Sequence, residues 1–239
     1  MDEFLPKDMI VIPTFNERRN IEALIPRIFE TVPNVLVTVV DDDSPDGTQD
    51  VVRELMKRYS GLSLYAHNQK AGFAAAYIDG FRKVLQEHPD LRSVTMMDAD
   101  LSHGPEVLPE FYRQMETHDL VCGSRYIPGG SVVGWETWRK ALSYMGNVYL
   151  RGVSRIPIKD ITGGFNCIRA SMLRNIRFDL VEARGYGFQY VLKHLLLKNG
   201  ARSVEVPIVF RNRLEGESKL TGHIITEAIT LPWKLRRHL

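Results

Sequence analysis

Between residues 9 and 126, short apolar runs rich in β-branched residues alternate with amphipathic stretches of helical length, and that alternation leaves few folds open. MIVIP (9–13), VLVTVV (35–40), LSLYAH (62–67), SVTMMDAD (93–100) and DLVCGSRY (119–126) read as strands. Between the first two, Asn20 to about Val32 keeps Ile21, Leu24, Ile25 and Ile28 on one side, with Asn16 or Asn20 available as a cap. A turn, SPDGT (44–48), opens a helix over about 48–59 that turns Val51, Val52, Leu55 and Met56 inward. Gly72 to about Glu87 and Pro105 to Thr117 supply two more helices. Strands joined through helices pair in parallel and are covered on both faces. The expected fold class is therefore α/β, a mostly parallel central sheet sandwiched by helices. Ligands of such sheets collect beyond the C-terminal strand ends, which is where Pro13 to Glu17, Asp41 to Asp46 and Asp98 to Asp100 fall.

The second half is less regular. Residues 127–134 form a Gly-rich loop, Trp135 to about Val153 looks helical, and Asp160 to Arg169 returns as a strand with glycines. A helix over about 185–199 and a strand, SVEVPIVF (203–210), precede an amphipathic stretch from about His223 that ends in Trp-Lys-Leu-Arg-Arg. A length of 239 residues suits one large domain, 1–239, with halves at 1–124 and 125–239. The halves differ in charge. Residues 1–124 hold 12 Lys/Arg against 21 Asp/Glu, and residues 125–239 hold 19 against 8. Such a split suggests a cationic partner for the first half and an anionic one for the second. Cys122 and Cys167 lie among small or apolar residues without zinc-ligand spacing, as buried thiols of a reducing compartment do. The start, MDEFLPKDM, is acidic and unlike a signal sequence, and no apolar run is long enough to span a bilayer. The expectation is a cytoplasmic chain without a transmembrane domain, whose membrane contact is peripheral or made through a partner.

Three constellations carry chemistry. Asp98-Ala99-Asp100 follows an apolar run; in an extended chain side chains two apart point the same way, so two carboxylates converge and call for a counter-cation. Mg²⁺ or Mn²⁺ meets that need with oxygen ligands and substrate phosphates, although two acids opening a loop is the commoner meaning of an isolated D-x-D. Asp41-Asp42-Asp43 suits hydrogen bonding to a base edge and ribose hydroxyls, while Asp46 or Thr48 serves as a helix cap. Pro13-Thr14-Phe15-Asn16-Glu17 stands where a dinucleotide fold would carry G-x-G-x-x-G, which argues against NAD. The basic elements come later: Arg125 ends the fifth strand, Arg139 and Ser143 lie one turn apart on a helix, and Arg213, Ser218 and Lys219 lie in RLEGESKL. Guanidinium groups grip phosphate oxygens in a fork.

VIPTFNERRNI (11–21), VVDDDSPDGT (39–48), DADLSHGPE (98–106), GSRYIPGG (123–130), DITGGFNCIRA (160–170), GYGFQ (185–189) and GESKL (216–220) together resemble, in order, the family 2 glycosyltransferases of GT-A fold, and within them the dolichol-phosphate or polyprenol-phosphate mannosyltransferases. The resemblance implies transfer of mannose from GDP-mannose to a polyprenyl (dolichyl-type) phosphate, with Mg²⁺ or Mn²⁺, at the cytoplasmic face of a membrane. A small membrane-anchoring subunit is a further implied partner, and nucleic acid is not. By position, Pro13, Phe15, Glu17, Val40, Asp42, Asp98, Ala99, Asp100, Arg213 and Lys219 would bind the donor. Asp98, Asp100 and Ser102 would hold the metal, and Arg125, Arg139 and Ser143 the acceptor phosphate, with Asp100, Arg125 and Arg139 catalytic. The sequence departs from the family pattern at Phe15 (commonly Tyr), Ser102 (usually Gln), Asp43 (usually Gly or Asn), and Gly163 and Asn166 (Ser and Arg). These departures bear on the donor more than on the reaction class. The competing readings are a different donor such as UDP-glucose or an aminosugar nucleotide, an inactive nucleotide-sugar or lipid-phosphate binding subunit, and a haloacid-dehalogenase-like phosphatase suggested by DADLS.

Overall fold

The computed structural model describes residues 7–180, 187–212 and 231–233. The first half alternates as predicted: β1 (Lys7–Thr14), α1 (Arg18–Thr31), β2 (Leu36–Asp41), α2 (Thr48–Met56), β3 (Leu62–Ala66), α3 (Phe73–Glu87), β4 (Leu91–Met96), α4 (Leu108–Gln114) and β5 (Leu120–Ser124). A single 3₁₀ turn, Pro105–Val107, leads into α4, whose Pro109 occupies the first turn where no N–H is needed. The chain continues through β6 (Ser131–Val133), α5 (Thr137–Ser154), β7 (Asn166–Arg169), α6 (Ala170–Arg174), α7 (Gly187–Lys198), β8 (Ser203–Pro207) and β9 (Val209–Arg211).

Seven strands form one sheet in the order β3-β2-β1-β4-β7-β5-β8, parallel except for β7, which opposes both β4 and β5. β6 and β9 make a separate parallel pair. Alternation along β1 sends Ile10 and Ile12 into the core on one face and Met9 and Val11 into the core on the other. Both faces are therefore apolar, as a parallel sheet covered twice requires. Helix α3 lies close to this sheet, since a Cβ on Gly80 would come within 2.8 Å of Val11 Cγ1 and 2.9 Å of Val40 Cγ2. That approach brings Tyr77, one turn earlier, up to the residues that follow β4.

Several expectations need correction. Met56 ends α2 and is 39% exposed rather than inward. Neither Asn16 nor Asn20 caps α1; the Glu17 and Arg18 N–H groups donate instead to Thr48 Oγ1 (3.1 Å) and Asp46 Oδ2 (3.1 Å), so the turn before α2 caps a different helix. The strand expected over 160–169 shortens to Asn166–Arg169, because carbonyls of the preceding loop are taken by a buried lysine rather than by a neighbouring strand. The strand expected over 203–210 divides at Ile208, whose N–H donates to Ser124 and whose carbonyl accepts from Ser131, passing the chain from one sheet to the other. The amphipathic tail lies outside the described residues except for 231–233.

Candidate active site

The loops after β1 and β2 are locked together. Asp41, fully buried, accepts hydrogen bonds from Thr14 Oγ1 (2.8 Å), Ser44 Oγ (2.6 Å) and N (3.0 Å), and Gln49 Nε2 (2.8 Å). Asn16 adopts φ 61°, a left-handed conformation Asn tolerates, and its N–H donates to Ser44 Oγ at 2.9 Å. Asp42 accepts the N–H groups of Ala71 (2.7 Å) and Gly72 (2.8 Å) and pairs with His67 Nδ1 (3.1 Å). Burial works against this carboxylate, but those N–H groups and His67 hold it below the usual range. The three adjacent acids thus divide their roles: Asp41 ties the loops, Asp42 faces the 67–72 segment, and Asp43 is exposed. Neither Asp46 nor Thr48 is the N-cap of α2, which is Gly47; Asp46, one residue earlier, accepts Thr48 N at 3.0 Å. Lys70 Nζ lies 3.5 Å from the centre of the Phe15 ring. Pro13 is buried in β1. Val40 is fully buried, its side chain packed in the core beneath Gly80.

The turn that carries Asp98 and Asp100 is built differently from the extended strand end expected. β4 ends at Met96, so strand alternation does not set these two side chains. A tight turn holds them instead. Asp100 Oδ1 accepts Ser102 N at 3.0 Å, Leu101 takes φ 61°, and Asp98 N donates to His103 Nδ1 at 3.1 Å. Tyr77 OH donates to Asp98 Oδ1 at 3.2 Å. Burial, reinforced by the charges of Asp98 and Asp100, pushes the Tyr77 hydroxyl well above its ordinary value and keeps it a donor. Asp98 and Asp100 are thus fixed at two points of one turn, Asp98 by the Tyr77 hydroxyl and Asp100 by the Ser102 N–H. Ala99, between them, is buried. Among the described residues no group of three His, Cys, Asp or Glu side chains is placed to hold a metal. Two carboxylates fit a hard divalent ion that takes its other ligands from substrate phosphates and water. Ser102 Oγ, 1% exposed and without a hydrogen-bond partner among the described residues, is a further oxygen in the same turn.

The basic side chains gather on an indole. The Arg139 guanidinium lies 4.1 Å from the Trp135 ring centre and that of Arg125 lies 5.7 Å from it. Tyr126, 5.2 Å from the Arg125 guanidinium, donates its hydroxyl to Ser143 Oγ at 2.7 Å. Arg125, Arg139 and Ser143 are thus brought together. Arg125, however, is already matched: its Nε and Nη2 fork onto Asp160 (both 2.7 Å) and its backbone N–H donates to the same carboxylate at 2.9 Å. Burial would raise the Asp160 carboxyl, but the Arg125 charge and hydrogen bonds bring it below the usual range. A chain of ring contacts joins the two clusters: His103 to Phe210 (5.8 Å) and Phe210 to Trp135 (5.4 Å). Arg213 and Lys219 lie outside the described residues.

Sequence reasoning missed three side chains that hold these loops: Tyr77, His67 and Lys193. Lys193 is 1% exposed and donates to the carbonyls of Asp160 (2.9 Å), Ile161 (3.0 Å) and Gly163 (2.9 Å). Burial pulls its pKa down, yet three carbonyl acceptors call for the three N–H donors of an ammonium. Its one signal was a lysine in the middle of YVLKHLLL, a run too apolar to face water.

The profile of glycosyl transferase family 2 matches residues 9–177. The undecaprenyl-phosphate mannosyltransferase of Micrococcus luteus is 41% identical over 92% of this chain and 90% of its own length. The polyprenol monophosphomannose synthase of Mycolicibacterium smegmatis is 38% identical over 98% and 89%. The dolichol-phosphate mannosyltransferase of Pyrococcus furiosus is 34% identical over 97% of this chain, which spans only 64% of that longer protein. Among solved structures, the fold is shared with the mannosyltransferase PcManGT of Pyrobaculum calidifontis, in complex with GDP-Man and Mn²⁺ (TM-score 0.61, 22% identity, 98% of this chain and 61% of that one). It is shared too with glucosyl-3-phosphoglycerate synthase of Mycobacterium tuberculosis (TM-score 0.70, 17% identity, 97% and 78%). With the parallel sheet, the acidic turn beyond β4 and the loops that flank it, these matches give the family: the chain belongs to glycosyl transferase family 2, within its polyprenyl-phosphate mannosyltransferase group.

Proposed function

We propose that this enzyme transfers mannose from GDP-mannose to a polyprenyl phosphate by a single displacement with inversion at the anomeric carbon, with Mg²⁺ or Mn²⁺ held by Asp98 and Asp100. The observation that carries the reading is the acidic turn beyond β4, where Tyr77 OH donates to Asp98 and Ser102 N to Asp100, joined through His103, Phe210 and Trp135 to an arginine cluster that suits a second anion. The names of the relatives support the acceptor, and the ligands of PcManGT support the donor and the cation. When bound, the ion supplies positive charge to the departing diphosphate. The nucleophile, a phosphate oxygen, is anionic near neutral pH, so no protein base is assigned. Arg139 aligns the attacking phosphate and offsets the repulsion between two anions. Arg125, matched by Asp160, fixes the wall on which Tyr126 and Ser143 are presented. Asp42, Glu17 and Phe15 surround the nucleoside, and the family resemblance gives Arg213 and Lys219 to the donor as well.

A panel of GDP- and UDP-sugars with a short polyprenyl phosphate and Mn²⁺ or Mg²⁺ tests the assignment: GDP-mannose should turn over fastest and excess chelator should stop it. Faster turnover with a UDP-sugar would replace the donor. In the same assay Arg139→Ala should raise the KM for lipid more than tenfold, about 1.4 kcal/mol, and an unchanged lipid dependence would remove Arg139 from the acceptor site.

No helix among the described residues is long and apolar enough to cross a membrane. Contact with the lipid acceptor falls instead to α5, whose Trp138 (62%), Leu142 (39%), Tyr144 (54%), Met145 (65%) and Val148 (44%) are exposed. Trp233 joins this face, its Nε1 donating to Tyr149 OH at 3.0 Å. Aromatic and aliphatic side chains beside Arg139 and Lys140 suit an interfacial helix on anionic lipid. Replacing Trp138 and Met145 together by serine should reduce co-sedimentation with acidic phospholipid vesicles severalfold; equal binding by the variant would discard this face.

A further inference from the structure

Of the family segments, GYGFQ (185–189) has no part in the transfer described above. Its last residue, Gln189, lies in the first turn of α7 and is 2% exposed. The Gln189 Nε2 atom is buried with no hydrogen-bond partner among the described residues.

The orientation of that amide is fixed by a chain that begins at a backbone carbonyl. Gly163 O can only accept, and it accepts from Lys193 Nζ (2.9 Å) and Asn166 Nδ2 (3.0 Å). Asn166 therefore turns its nitrogen, not its oxygen, toward Gly163. The second N–H of that nitrogen donates to Gln189 Oε1 at 3.2 Å. With Gln189 Oε1 committed, its NH₂ group must point the other way.

What it faces is the small space above Gly164, which a methyl group would fill in van der Waals contact. A Cβ built there would sit 3.5 Å from Gln189 Nε2, 3.5 Å from Asp98 Oδ2 and 3.6 Å from His103 Cε1. The glycine leaves a niche between a buried amide donor and a carboxylate assigned to the cation. Next to it, a Cβ on Gly163 would lie 3.2 Å from Asp160 Oδ1, the partner of Arg125. The niche thus lies along the wall between the metal pair and the arginine cluster. A transferred sugar has to occupy that interval, with its leaving diphosphate on one side and the attacking phosphate on the other. A buried N–H seeks an acceptor, and an amide nitrogen cannot ligate a cation.

We propose that Gln189 Nε2 donates a hydrogen bond to a hydroxyl of the donor sugar, with Gly164 kept free of a side chain so that the hydroxyl can enter. Gln189 is then a sugar-specificity residue. This inference rests on the donor assignment above and goes beyond it in naming the group that recognises the sugar.

Calorimetric titration of GDP-mannose and of GDP, each with Mn²⁺, into the full-length enzyme tests it. Gln189→Leu should weaken GDP-mannose about tenfold and leave GDP within about twofold, as loss of one hydrogen bond to the sugar predicts. Gly164→Ala introduces contacts no shorter than 3.5 Å, so it should fold normally and show the same selective loss. In a series of deoxy GDP-mannose analogues, one should bind more weakly than GDP-mannose to wild type and equally to Gln189→Leu. Equal weakening of GDP and GDP-mannose would move the amide to the nucleotide or diphosphate and overturn the proposal, as would unchanged binding of both. A wild-type enzyme that binds neither ligand would overturn the donor assignment itself, and the inference with it.

Discussion

Asp100→Asn is expected to cut mannose transfer well over tenfold, roughly 1.4 kcal/mol or more of lost transition-state stabilisation, while leaving the fold in place. The amide keeps an oxygen for the Ser102 N–H that closes the turn, so the loss would report charge rather than shape. Asp98→Ala should do the same at a cost to the Tyr77 hydrogen bond. The measurement is turnover against Mn²⁺ concentration, with thermal unfolding as the control for folding. Near wild-type turnover by Asp100→Asn in excess chelator would remove the cation from the reaction.

Asp160→Ala is expected to produce the largest change in stability. Arg125 and Asp160 are both buried, and the carboxylate receives three hydrogen bonds from that one arginine. Removing it leaves a guanidinium stranded without its counter-charge, at a cost of about 3–5 kcal/mol. For a chain of this size that corresponds to a fall in Tm of roughly 6–20 °C. The pH dependence has a definite sign. Because the folded pKa of Asp160 is depressed, its contribution is complete above the unfolded value of about 3.9 and fades as pH falls toward the folded value. The gap between wild type and variant should therefore be full at neutral pH and narrow in acid below about 3.9. A Tm within a degree or so of wild type at pH 7 would mean that the pair is not what holds this wall.

The parallel half of the sheet was legible because each strand carries its own apolar run and each helix its own apolar stripe; Val52 and Leu55, or Ile21, Leu24 and Ile28, declare their burial through spacing alone. The acidic turn was legible as composition but not as geometry. Asp98 and Asp100 were expected to align by strand alternation, and they lie instead in a turn closed by the Ser102 N–H and the His103 ring, contacts between residues that no periodicity marks. Asp41 and Asp42 looked equivalent in the sequence; one ties two loops and the other faces the segment before α3, a division set by which way each residue points after β2. Arg125 was visible as a basic residue at a strand end, whereas its match with Asp160, 35 positions away, was not. Long-range pairing of polar groups leaves no periodic trace, and for the same reason Gln189 and Asn166 could not be linked in advance.

The ammonium of Lys193, seated on three carbonyls of the 160–163 loop, has a consequence for how the enzyme meets its surroundings. Carbonyl rings of this kind elsewhere in proteins are filled by potassium or sodium drawn from solution. Here the cation is tethered by its own side chain to α7 and cannot dissociate. The 160–163 loop therefore keeps its shape whatever monovalent salt bathes the protein.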